Sequence, residues 1–414
     1  MIKKLFFSFK KFIKHPLFLS FYLPSLLFGI AWGLRMPVLP LFAAELTDAY
    51  GLVGLVIAGA GLGTLGADLP VGKFISKIDK RKGMIFGLGV ETITSLALVW
   101  VNSIWLVLGL RIVGGMGLAV YGIARHAYIT GAVRIEMRGR AISLFGGIIR
   151  IGFFIGPAVG GVLAEHFGLR LPFVAYALIC FSAMIVMYFA RDGFAARDTQ
   201  PELEQDEPVG LMGALEGRFG VFAAASFAHI LAQITRAGQS LILPLWGADI
   251  LNLHADQIGF AVSLSSAVSM TLFYPVGLIM DRLGRKLAIV PSFVIMGLGL
   301  ALLPMISSYA GLLLMGALIG LGHGLGSGAM MVLGSDLSPK KGRSAYLGAW
   351  RWIGDAGNSC GPLLVGFVAE ALALPSAALV IAAAGFLAGG VFGFFVPETL
   401  RKKEKTERES HYLK

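Results

Sequence analysis

The chain has 414 residues, of which 56% are hydrophobic and 14% charged, with a mean hydropathy of +0.78. Water-soluble domains carry about 25% charged and about 45–50% apolar residues, so this composition excludes a soluble fold and points to a bilayer as the solvent. The net charge of +11 does not mark a nucleic-acid surface, because 28 of the 35 Lys and Arg residues fall in every second segment between apolar runs. That is the positive-inside pattern, which predicts a multi-pass cell-membrane protein with both termini in the cytoplasm and no nucleic-acid partner.

In chain order, residues 1–16 put Ile2, Leu5, Phe6, Phe9, Phe12 and Ile13 on one helical face and five lysines on the other. This fits an interfacial amphipathic helix, with a frayed basic leader as the alternative. Runs able to cross a hydrocarbon core of about 30 Å follow near 17–44, 50–74, 83–101, 104–128, 141–166 and 171–190. The first run shows no convincing cleavage site, so it reads as a transmembrane helix rather than a signal peptide. Residues 191–219, with Pro201, Glu202, Glu204, Asp206, Glu207 and Pro208, read as a cytosolic linker. Six more runs lie near 220–247, 256–279, 287–306, 309–333, 345–370 and 374–396, and 397–414 form a cytosolic tail. Cys180 and Cys360 both lie inside apolar runs, with no disulfide framework and no metal-ligand spacing.

The two halves repeat. Gly72 and Gly277, Gly115-x-Gly117 and Gly320-x-Gly322, and Gly156-Pro157 and Gly361-Pro362 are each separated by the same 205 positions. The expected fold is an all-α membrane protein of twelve transmembrane helices in two pseudo-symmetric six-helix bundles, 17–190 and 220–396. Parallel repeats of this kind rock about a site near the bilayer midplane.

Ionisable groups inside spans are costly and mark function by default. Trp32 and Arg35 lie in the first span, and Asp68 near the cytoplasmic end of the second, where it reads as part of a gate. Glu91 in the third is either a proton carrier or a buried protonated acid. His229, Gln233, Arg236 and Ser240 share a face of the seventh span, and Arg351, Asp355 and Asn358 a face of the eleventh. Arg351 and Asp355 also have the spacing of a simple ion pair. His323, alone on the tenth, is either a hydrogen-bonded core histidine or a proton site. Arg35, Arg111, Arg125, Arg150, Arg236 and Arg351 outnumber the acids within spans six to three.

Several motifs go further. Gly277 followed by Asp281-Arg282-Leu283-Gly284-Arg285-Lys286 resembles the G-x-x-x-D-R-x-G-R-K signature of the major facilitator superfamily. In the first half Gly72, Lys77, Lys80 and Arg81 fit, while Ser76 stands for the acid and Asp79 for the second glycine. Arg111-x-x-x-Gly115-x-Gly117 is similar to the family's fourth-span motif, with a structural arginine as the alternative reading. Gly152-x-x-x-Gly156-Pro157-x-x-Gly160-Gly161 resembles the antiporter motif of drug:proton exporters, although Ser143 replaces its earliest glycine; generic tight packing is the alternative. Pro397-Glu398-Thr399 is a tail signature common in the family.

The resemblance, which covers almost the whole chain, implies alternating access driven by an ion gradient, most often protons. Asp281, Arg282, Gly284, Arg285 and Lys286, with Gly277 and Gly72, would form the gate. Arg111 would act on a proton-binding carboxylate, with Glu91, Asp355 and Asp68 as candidates. Spans one, four, seven and ten would line a cavity flanked by the second, fifth, eighth and eleventh. Its candidate residues are Trp32, Arg35, Arg111, Arg150, His229, Gln233, Arg236, His323, Arg351, Asp355 and Asn358.

The expected activity is proton-coupled antiport exporting small amphipathic compounds or drugs, by a monomer in the cell inner membrane, without cofactor or metal. An arginine-rich cavity equally suggests organic or lipid-like anions, exported or imported. A non-transporting sensor on the same fold is the third reading. Gly61-x-Gly63-x-x-Gly66 imitates a dinucleotide fingerprint, but no strand precedes it. Gly66 to Gly72-Lys73-Phe74 has the wrong spacing for a phosphate loop, so ATP bound by this chain is not the energy source. No nucleophile–base constellation stands out, so an enzyme is not expected.

Overall fold

The computed structural model describes residues 17–74, 78–133, 137–190, 211–217, 219–339 and 341–400. The expected interfacial helix at 1–16, most of the 191–219 linker and the tail beyond 400 lie outside the described residues.

Among the described residues, twelve long helices follow the expected order. In the first half they are α1 (Phe18–Leu46, opening with a π-helical turn), α2 (Tyr50–Phe74), α3 (Lys80–Ala97), α4 (Ile104–Ala132), α5 (Arg138–Phe167) and α6 (Leu171–Phe189). In the second half they are α7 (Phe219–Leu245), α8 (Ala255–Arg282), α9 (Lys286–Leu302), α10 (Tyr309–Leu337), α11 (Arg343–Ala371) and α12 (Leu374–Phe394). Their ends are chemically marked. Asp79 caps α3 by accepting from the Lys82 N–H at 2.8 Å, and prolines occupy the first turns of α6 and α12. Ten of these helices are long and apolar enough to cross a membrane; α7 and α11, which carry the polar faces read from sequence, are not among the ten.

The repeat is visible in the positions of the helices. α2 and α8, α4 and α10, and α5 and α11 begin at positions 205 apart. The tenth span is not a continuous helix: it runs Tyr309–Leu325, breaks at Gly326–Gly328 and resumes as Ala329–Leu337. Gly328, the residue just before the second segment, takes φ +73°, a conformation that side chains with a Cβ resist.

Packing distinguishes the two ends of the molecule. One apolar core, with Phe42, Val56 and Phe173 from the first half and Leu241, Trp246, Leu312 and Val365 from the second, joins both bundles. Towards the other end, where the basic loops lie, the cores are separate. Phe21, Met84, Tyr121 and Met187 pack within the first bundle only, and Met280, Phe293, Trp350 and Phe392 within the second only. The bundles are therefore joined at one end and parted at the basic end. Phe86, Phe181, Tyr188, Leu314 and Phe394 are exposed on the outside, as expected of lipid-facing positions.

The joined end is built from matched contacts. A Cβ on Gly54 of α2 would lie 2.4 Å from the Pro362 carbonyl oxygen and 3.0 Å from the Gly366 Cα of α11. A Cβ on Gly259 of α8 would lie 2.4 Å from the Pro157 oxygen and 3.0 Å from the Gly161 Cα of α5. Each residue of the second set is 205 positions from its counterpart in the first. Glu370 accepts from the Gly51 N–H at 2.7 Å and Glu165 from the Ala255 N–H at 2.9 Å, so each bundle offers a carboxylate to a helix N-terminus of the other.

Candidate functional site

A cavity of about 170 Å³ lies between the bundles at mid-depth. Trp32, Phe153, Leu243 and Ile319 supply apolar wall, and Arg150, Gln239, His323 and the α8 serines Ser265, Ser266 and Ser269 supply polar groups. No carboxylate lines it among the described residues. His323 lies 3.3 Å from the Gln239 amide, which answers the question of its partner. Ser240 also reaches the wall.

The break in α10 sits beside this cavity. Arg236 Nη2 of α7 donates to the Gly326 carbonyl at 2.7 Å, and Arg150 of α5 donates to the Ser327 hydroxyl. Two guanidinium groups, one from each bundle, thus meet successive residues at the carbonyl end of a helix, the end that favours cations.

Most other cavity candidates lie elsewhere. Arg35 and Arg111 turn into the first bundle, where Arg35 Nη1 donates to Glu91 at 2.5 Å and Arg111 lies 3.7 Å away from it. The Tyr176 hydroxyl donates to the same carboxylate oxygen at 3.0 Å, and Glu91 is 0% exposed. Sequence could not show that α1 and α4 direct these arginines at α3, nor that Tyr176 of α6 completes the group. His229 is buried and stacks on Trp350 of α11 with centroids 4.3 Å apart. Gln233 packs beside Gly357. These two share a face with Arg236 and Ser240, but the face meets α11 near the basic end and the cavity only further along, because its neighbours change along the helix. Asn358 is exposed.

On the α2–α11 side, Arg351 lies 3.7 Å from Asp68 across the bundles and 3.5 Å from Asp355. The gate sequence is organised within the second bundle. Arg285 pairs with Asp336 at 3.0 Å and with Asp281 at 3.4 Å, and donates to the Met280 carbonyl. Glu398 accepts from the N–H groups of Arg285 at 2.9 Å and Lys286 at 3.0 Å. Gly284, at φ +128°, leaves no room for a Cβ, which would lie 2.7 Å from Glu398. Partial burial alone would raise the Glu398 carboxyl, but its backbone N–H donors outweigh this and hold it below the usual carboxylate range. Asp336 and Glu398 went unread as partners of the gate because both are remote in sequence. Asp281 is 75% exposed, Arg282 is exposed, and Gly72 and Gly277 face open space. In the first half, Arg81 donates to the Met187, Tyr188 and Ala190 carbonyls at the end of α6. Its counterpart Lys286 does the same to Gly393 of α12.

The glycine stripe of α5 has two contacts. Gly152, Gly156 and Gly160 lie against the backbone of α1 at Gly29, Ile30, Gly33 and Leu34, while Gly161 and Pro157 meet Gly259 across the bundles.

Among the described residues, twelve helices in two repeats enclose a central cavity and part at one end, the architecture of two-bundle membrane transporters. The profile of the Major Facilitator Superfamily matches residues 21–227 and again 225–413, so the chain belongs to that superfamily and is a membrane transporter rather than an enzyme. An uncharacterized MFS-type transporter of Methanocaldococcus jannaschii is 22% identical, with 83% of this chain and 88% of that protein covered. The multi-drug resistance efflux pump PmrA homolog of Lactococcus lactis is 24% identical, with 81% and 84% covered. The synaptic vesicular amine transporter of Bos taurus is 24% identical, with 78% and 62% covered. Among solved structures, the nucleoside transporter NupG has a TM-score of 0.75 at 16% identity, covering 92% of this chain and 100% of that one. A D-xylose-proton symporter has a TM-score of 0.72 at 15% identity, covering 91% and 98%.

Proposed function

We propose that this transporter is a proton-coupled exporter of small amphipathic compounds, seen here in the state that takes up cargo. The observation that carries the reading is the contrast between one shared core and two separate ones. The positive-inside pattern of the basic loops supports a cytoplasmic placement of the parted end, and with it an inward-facing conformation. The glycine stripe of α5 and the likeness to an efflux pump support export. The cavity takes its lining from one chain, which supports a monomer as the working unit.

Local charge selects the proton site. Glu91 is one carboxylate against two guanidinium groups and has no exposure, so a proton there would leave Arg35 and Arg111 facing no anion. Asp68 and Asp355 share one cation, Arg351. Two carboxylates and one guanidinium have room for a proton. We assign coupling to this pair, with Glu91 holding the bundle together.

The test uses purified protein in liposomes with a fluorescent amphipathic dye and an imposed pH gradient. Asp68→Asn and Asp355→Asn should keep dye counterflow and lose gradient-driven accumulation. If both variants accumulate dye like the parent, the assignment is wrong. If the parent exchanges no dye in either mode, a sensor on this fold becomes the better description.

A further inference from the structure

The six arginines within the spans are not treated alike. Arg35 and Arg111 have Glu91, and Arg351 has Asp68 and Asp355. Arg125 is surrounded by the rings of Phe28, Tyr121 and Phe145, with its guanidinium carbon 4.7–5.7 Å from their centroids. Arg150 lines the cavity and Arg236 reaches the same break in α10 from behind the wall, through successive residues Ser327 and Gly326; among the described residues neither is in an ion pair.

Two positive charges on largely buried side chains repel each other and any cationic solute. The helix end they touch supplies only about half a unit of negative charge. Phe273 and Phe293, under the two guanidinium groups at 4.6 Å and 5.3 Å, add a weaker attraction. Arg236 Nε is shut off from solvent without a hydrogen-bond partner, as is the Ser269 hydroxyl on the cavity wall. The site has donors and positive charge to spare, and no acid to receive them.

We infer that the cargo is an acidic amphiphile, its anionic group held between Arg150 and Arg236 at the break in α10 and its apolar part against Trp32, Phe153 and Ile319. The inference rests on the reading of this cavity as the cargo site. An anion there would contact both bundles at once, because Arg150 comes from the first and Arg236 from the second. Binding would therefore favour states in which the two guanidinium groups converge, which is the differential affinity a carrier needs. A carboxylate, sulfonate or phosphate monoester would serve, on either a free organic acid or a lipid.

The test is a binding measurement that does not depend on transport. The full chain in nanodiscs of zwitterionic lipid is titrated with 1-naphthalenesulfonate and with 1-naphthyltrimethylammonium, which share a ring system and differ in charge. The sulfonate should bind at least about tenfold more tightly. Arg150→Gln should weaken it by about tenfold or more, with Arg150→Lys recovering most of the loss. Competition by dioctanoyl phosphatidic acid, but not by the phosphatidylcholine, would identify a lipid as the source of the anion; its absence with sulfonate binding intact would identify a free acid. Equal or tighter binding of the ammonium, no binding of the sulfonate, or full affinity in Arg150→Gln overturns the inference. Counterflow of whichever probe binds separates this result from the transport reading. A bound but unexchanged sulfonate refutes transport alone, and an exchanged ammonium refutes the anion alone.

Discussion

The joined end and the middle of this protein are built from equivalent positions and have been used in opposite ways. At the joined end the halves agree closely. Gly54 and Gly259 make the same 2.4 Å and 3.0 Å approaches, and Glu165 and Glu370 cap partner helices. At mid-depth they diverge. Asp68 of α2 corresponds to Phe273 of α8, Gly146 to Arg351, and Arg150 to Asp355, each 205 positions apart. One side is therefore a carboxylate–arginine cluster, and the other a guanidinium over an aromatic ring. The bundle interiors diverge too, since Arg35, Glu91 and Arg111 correspond to Ser240, Met296 and Gly316. Symmetry is kept where the bundles only have to close, and is lost where charge is handled.

The largest test of this contrast lies in the first bundle. Arg35→Met removes the 2.5 Å partner of a fully buried carboxylate. It should cost about 3–5 kcal/mol, read as a fall in thermal midpoint, while Ser240→Ala at the equivalent position should stay within about 0.5 kcal/mol. Similar losses at both would mean the interiors are less different than they look.

Next comes the symmetric end. Gly54→Ala and Gly259→Ala each place a methyl 2.4 Å from a carbonyl oxygen. Each should disfavour the joined state by about 1–3 kcal/mol, and by similar amounts. Labelling of Ala369→Cys, buried in the shared core, in a background without Cys180 and Cys360, would report it as increased reactivity. An effect at one position only would show that the end is not symmetric in energy.

Smaller still, Glu165→Gln and Glu370→Gln should each weaken closure by about 0.3–1 kcal/mol, matched between the two, by the same labelling. The smallest effect concerns the basic end. The folded state holds the Glu398 carboxyl below its unfolded value, so its contribution is complete above about pH 4.3 and is lost as pH falls through the lower folded value. Hydrogen-exchange protection of the Arg285 and Lys286 amides should be level from neutral pH to that point and then decline. A decline beginning near neutrality would assign the contact to another group.

Much of the fold was legible because the repeat is written in glycine and proline. The single offset from Gly72, Gly115 and Gly156 also relates the starts of three helix pairs. The break in α10 was not legible, since Gly326 and Gly328 look like any of 56 glycines until one of them takes a positive φ. At the site, Trp32, Arg150 and His323 stood out as polar or aromatic groups in apolar runs. Arg35 and Arg111 stood out for the same reason, yet burial with Glu91 takes them away from the cavity; the direction of a side chain depends on neighbours that periodicity does not name. The serines at 265, 266 and 269 went unread because small hydroxyls are ordinary in membrane helices, and only the opposing Arg150 gives them a context.

The backbone approaches of Gly54 to Gly366 and Gly259 to Gly161 have a consequence for how such a protein can change over evolutionary time. Where the surfaces mate backbone to backbone they have no rotamers to reset and no memory of what lies in the middle. The closing apparatus is indifferent to cargo. A descendant could acquire a new solute by altering Trp32, Arg150, Phe153 or Ile319 while inheriting the moving parts unchanged.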